Sequence, residues 1–75
     1  MKSQSARNIE AIIQNIRKAR EDHNYTQEYM AMRMKCSQNA YSKLELGYSK
    51  LTVENLLKVC EVLEIDVNEV VNIHK

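Results

Sequence analysis

The chain contains no proline, no phenylalanine, no tryptophan and a single glycine, Gly47. One glycine cannot build a Gly-rich phosphate loop and leaves little means of shaping a tight catalytic loop. Four tyrosines are the only aromatic residues, which leaves little for a β core. Two cysteines, Cys36 and Cys60, do not make a disulfide framework, and no Cys/His cluster has metal-ligand spacing. No metal, cofactor or catalytic residue is therefore expected, and the chain does not read as an enzyme. No apolar run approaches the ~20 residues a membrane span requires. Met1 to Ala6 is polar, without the pattern of a signal peptide. A cytoplasmic protein without membrane association is expected, its thiols reduced and both cysteines serving as buried small hydrophobes.

What is present suits helices. Leu, Ile, Met, Lys, Glu and Ala dominate, no stretch alternates with period two, and several repeat with period 3.6. The 75 residues read as one all-α domain, 1–75, whose small core invites reinforcement by oligomerisation. Ile9, Ile12, Ile16 and Ala19 predict a first helix over about 6–22. Asn24 is placed to end it in the left-handed region. Thr26 caps a second helix from Gln27 to about Met34, with Met30, Ala31 and Met34 inward and the methionines as core or core-edge packing. Ser37 caps a third from Gln38 to about Leu46, with Tyr41 and Leu44 inward and Gly47 ending it. Thr52 caps a fourth over about 53–64, with Leu56, Val59, Cys60 and Leu63 inward. Asp66 and Glu69 have the spacing of a capping box for a short last helix. Five short helices with short connections predict a compact orthogonal bundle.

Net charge is only +1, but it is unevenly spread. Residues 1–50 hold nine Lys/Arg against five Asp/Glu, whereas residues 51–75 hold two against five. That asymmetry suits a protein that presents one side to an anion. His23 and His74 have no ligand or nucleophile partners in the sequence and read as solvated surface residues.

A two-turn helix, a very short break and a second short helix form the length pattern of a helix-turn-helix. A duplex major groove admits one α-helix, and the helix before it lies across the backbone and sets its angle. The second helix here opens Ser37-Gln38-Asn39-Ala40-Tyr41-Ser42-Lys43. Amides can bond bidentately to adenine N6/N7, and Lys can donate to guanine O6/N7. Gln38, Asn39, Ser42 and Lys43 are thus the candidate base readers, against the plainer reading of a merely soluble face.

The stretch Ile16 to Val71, about three quarters of the chain, resembles the phage repressor/Cro-like (XRE-like) helix-turn-helix family. The resemblance rests on an ordered set. Arg20 closes helix one, Thr26-Gln27-Glu28 opens helix two, and Ala31 is the small residue where helices two and three touch. Ser37 opens the recognition helix, Leu44-Glu45-Leu46-Gly47 resembles its usual Ile-Glu-Asn-Gly ending, and Leu56 and Leu63 take the core positions of helix four. Lys35 departs from the glycine common at the turn, which implies a non-glycine residue at positive φ.

The resemblance implies a lambda-repressor-like DNA-binding domain and a repressor-like transcriptional regulator of double-stranded DNA. Gln27 would bond a phosphate, with Tyr48, Ser49 and Lys50 in the loop that touches the backbone. Arg20 and Glu45 would form a partly buried structural ion pair. Because one recognition helix reads few base pairs, a homodimer on a pseudo-palindromic operator is expected. Its interface is expected at the apolar final segment Val67, Val70, Val71 and Ile73. The alternative is an antitoxin-like interaction module that binds a protein partner and regulates its own operator.

Overall fold

The structure, a computed structural model, describes residues 2–72. Among them are five helices and no strand: α1 (Gln4–Asp22), α2 (Gln27–Met34), α3 (Gln38–Leu46), α4 (Val53–Leu63) and α5 (Val67–Val71). The expected all-α bundle is the observed one, and no helix among the described residues is long and apolar enough to cross a membrane.

The first four helices begin in the same way. Ser3, Thr26, Ser37 and Thr52 each sit in extended backbone, and each hydroxyl accepts from the N–H three residues on, at 3.0–3.1 Å. Each such cap contributes roughly 1 kcal/mol. Sequence periodicity places the start of α1 two residues late, because its first turn is polar: Ser3 is the cap, and Gln4 Nε2 donates to Asn8 Oδ1 at 2.9 Å.

The same four helices also end alike. Asn24, Lys35, Gly47 and Glu64 all lie in the left-handed region, with φ of 59°, 60°, 79° and 55°. In each case the next N–H reaches back five residues: Tyr25 to Arg20 O, Cys36 to Ala31 O, Tyr48 to Lys43 O, and Ile65 to Cys60 O. This paired bonding satisfies carbonyls that a helix end leaves orphaned. Tight turns are therefore made almost without glycine. α5 begins differently from expectation: Asp66 Oδ1 accepts from Asn68 N at 2.9 Å, and the N–H of Glu69 bonds the Asp66 carbonyl, so the capping box does not form.

The core joins Ile16 of α1, Met30, Ala31 and Met34 of α2, Tyr41 of α3, Val59, Cys60, Val62 and Leu63 of α4, and Val70 of α5. Several expectations for single residues are corrected. Ile9 is 45% exposed, since it lies beyond the reach of the bundle on α1's first turns. Met32 points away, because Met30, Ala31 and Met34 occupy the one buried side of a two-turn helix. Cys36 is exposed, having been carried outward by the left-handed residue before it, while Cys60 is buried as expected. Burial pushes the Cys60 thiol up, with Asp66 adding to the effect, as suits a packing residue. His23 is half-buried rather than solvated: Nδ1 is 2.8 Å from the Ala19 carbonyl, and its ring lies 5.2 Å from that of Tyr25.

The expected dimer segment is corrected at its centre. Val70 is 1% exposed inside the monomer core, and Val67 packs partly buried against it. Asn15 Nδ2 donates to the Val70 carbonyl at 2.7 Å and pins α5 to α1. Val67 and Val70 of α5 thus close this chain's own core. Val71 is half-buried, and Ile73, like His74, lies outside the described residues.

Candidate nucleic-acid interface

The outward side of α3 is set by what its inward side must bury. Tyr41, Leu44 and Glu45 face the bundle. At 100° per residue this turns Asn39 and Lys43 out to solvent, while Gln38, which shares the angle of Glu45 two turns on, is exposed because it opens the helix ahead of the packed turns. Tyr48, Ser49 and Lys50 follow Gly47 on the exposed loop between α3 and α4. α2 packs against α3, and Ala31 of α2 is buried in the core.

Beneath this surface lies a polar cluster centred on Glu45, whose side chain is fully buried. Arg20 reaches it from α1 through two bonds, Nε to Oε2 at 2.6 Å and Nη2 to Oε1 at 3.2 Å, and through Nη1 also donates to the Tyr25 carbonyl at 2.8 Å. The Tyr41 hydroxyl donates to Oε2 at 2.6 Å, and Gln27 Nε2 donates to Oε1 at 3.0 Å. Burial alone would raise the Glu45 carboxyl pKa. The bonds from Arg20, Tyr41 and Gln27 outweigh it and hold the carboxyl below its ordinary value. The bond to Glu45 raises the Arg20 guanidinium, and burial pushes the Tyr41 phenol well above its usual range, with the bond to Glu45 adding to the shift. The cluster is an ionised carboxylate with each oxygen fully occupied, and it ties α1, α2 and α3 together.

The network then runs to the surface. Ser42 donates its hydroxyl proton to Gln27 Oε1. The Gln27 side chain therefore has a fixed orientation: Oε1 toward Ser42, one Nε2 proton toward Glu45, and the second proton without an acceptor among the described residues. This departs from the sequence reading of Ser42. It is half-buried on the flank of α3 that faces Gln27, so its proton is engaged and it orients another residue instead of standing with Gln38, Asn39 and Lys43. Residue typing alone also missed the Tyr41 bond. The spacing i, i+4 between Tyr41 and Glu45 was the available signal, since such pairs meet on one helix side.

A short helix laid across the start of a second, with an exposed amide-bearing side, defines a helix-turn-helix. The helix-turn-helix family profile matches residues 16–70, and the chain belongs to that family, a class of DNA-binding regulators. No curated relative matches the chain. Among solved structures, the clp gene regulator ClgR from C. glutamicum is similar, with a TM-score of 0.81 and 29% identity over 87% of this chain and 84% of that one.

Proposed function

We propose that the chain is a sequence-specific, repressor-like transcriptional regulator of the cytoplasm that inserts α3 into the major groove of double-stranded DNA. The carrying observation is the joint exposure of Gln38, at the first position of the helix, and of Asn39 and Lys43 on its outer side, while Tyr41, Leu44 and Glu45 lock the inner side. Gln38 and Asn39 offer amides to adenine edges, and Lys43 offers an ammonium to guanine or the groove wall. Gln27 and the loop Tyr48-Ser49-Lys50 hold the backbone. So few base contacts give limited specificity, so two copies act on half-sites about one helical turn apart. Val67 and Val71 remain the α5 residues with surface to offer such a dimer. A single species at the monomer mass in sedimentation, both free and on DNA, would contradict that assembly.

Selection of duplexes from a random library tests the reading. A palindromic consensus with fixed spacing is the expected outcome; recovery of no sequence preference would refute base reading. On the selected site, Gln38→Ala or Asn39→Ala should cost ~1–3 kcal/mol and relax preference at particular positions only. Lys50→Ala should weaken all duplexes alike and flatten the salt dependence by about one unit of slope.

A further inference from the structure

Several cations on this half of the molecule are already engaged, whereas Lys43 and Lys50 stand exposed on the interface. Lys2 pairs with Glu10, Lys18 with Asp22, and Arg20 with Glu45. Arg33 donates to the Tyr29 hydroxyl and lies 5.7 Å from that ring's centre. Arg17 differs from all of these. Its Nε stands 3.8 Å from Glu45 Oε1, close enough to feel the charge but too far for a hydrogen bond. Its guanidinium donates no hydrogen bond among the described residues. Nor does Glu45 need it, since Arg20, Tyr41 and Gln27 already occupy both carboxylate oxygens. One buried carboxylate thus faces two guanidinium groups, which leaves a positive charge in excess at this point.

The position of that excess matters. Arg17 is 46% exposed at the side chain, and none of its guanidinium donors is taken up by a hydrogen bond among the described residues. It borders the same groove as Tyr48, Ser49 and Lys50. It also approaches the same carboxylate oxygen that Gln27 Nε2 bonds, at 3.8 Å against 3.0 Å, so both donor groups converge on one atom, and the second Gln27 amide proton has no acceptor among the described residues. A phosphate diester carries one negative charge and oxygens spaced for a guanidinium fork.

We propose that Arg17 is a DNA-backbone contact that holds a phosphate together with Gln27, so that the interface extends from the helix-turn-helix onto α1. This rests on the reading of α3 as a groove-entering helix. Glu45 orients the Arg17 side chain without consuming its donors, and the ion cluster that locks the fold also sets up this clamp.

The test measures binding of the full chain to its selected duplex and to an unrelated duplex across a salt series. Arg17→Gln should lower the salt slope by about one unit and raise Kd about tenfold at 0.1 M salt relative to the effect near 1 M, equally on both duplexes. Arg17→Lys should retain the slope while losing part of the affinity, because the charge stays and the fork is lost. The thermal midpoint of both variants should match the parent. An unchanged slope in Arg17→Gln overturns the proposal. So does a large fall in thermal midpoint that Arg17→Lys restores with the slope unaltered, since Arg17 would then merely support Glu45. If the parent chain shows no salt-dependent binding to any duplex, the groove-entering reading fails first and this inference falls with it.

Discussion

Residues 27–46 and residues 53–71 each fold into two short capped helices, yet they bury different things. The α4–α5 portion buries only Val59, Cys60, Val62, Leu63 and Val70, and its exposed side is acidic. The α2–α3 portion buries Met30, Ala31, Met34, Tyr41 and Leu44 together with a charged carboxylate, Glu45. Apolar packing is non-directional and tolerates repacking of similar volume. A bidentate ion pair with two further donors fixes angle and register. The portion proposed to offer three side chains to DNA is the one built around directional bonds.

The largest expected effect breaks that difference directly. Glu45→Ala strands Arg20, the Tyr41 hydroxyl and the Gln27 amide together, and should cost ~3–5 kcal/mol in urea denaturation. Leu63→Ala, in the apolar half, should cost a comparable ~2–5 kcal/mol. The two should part in binding. Under conditions where each variant is folded, Leu63→Ala should keep its affinity for the selected duplex, whereas Glu45→Ala should lose it with the orientation of Gln27. Equal affinities would mean that the polar cluster contributes stability alone.

These two halves were also unequally legible in the sequence. Periodicity and cap residues gave all five helices, with α2 and α3 at the observed boundaries, because Thr26, Ser37 and Gly47 punctuate them chemically. The exposure of Asn39 and Lys43 followed from the apolar side of α3, and that of Gln38 from its place at the helix start. What stayed hidden was contact across elements. That the Ser42 proton goes to Gln27, and that Arg17 approaches the Glu45 oxygen that Gln27 bonds, depends on how three helices cross. Val70 misled for the opposite reason: Val67, Val70, Val71 and Ile73 read as more apolar surface than a short last helix buries, but Val70 is taken into the core and Asn15 bonds its carbonyl.

Acid should separate the halves next. The Glu45 carboxyl sits below its ordinary value of 4.5 in the folded chain. The unfolded state therefore takes up the proton first as pH falls, and Glu45's contribution, complete above about 4.5, is lost as pH drops through the lowered folded value. Glu45→Gln should flatten this part of the stability–pH curve, although the protein starts less stable. A curve of unchanged shape in that variant would move the acid sensitivity to other carboxylates.

The smallest expected effect concerns the turn itself. Lys35 holds φ 60° and ψ 44° between α2 and α3, where its Cβ crowds the following carbonyl. The left-handed conformation costs an ordinary residue roughly 1–2 kcal/mol, while glycine brings back about 0.5–1 kcal/mol in chain entropy. Lys35→Gly should therefore stabilise the protein by up to about 1 kcal/mol, a rise of several degrees in thermal midpoint. The same change at Glu64, with φ 55° at the end of α4, should stabilise by a similar amount, since both ends use the same backbone motif. If only Glu64→Gly raises the midpoint, Lys35 is stabilised in place by something other than its backbone. If both do, the helix-turn-helix retains a strained lysine beside its recognition helix, and lost affinity in Lys35→Gly would show that the cation itself is what the strain retains.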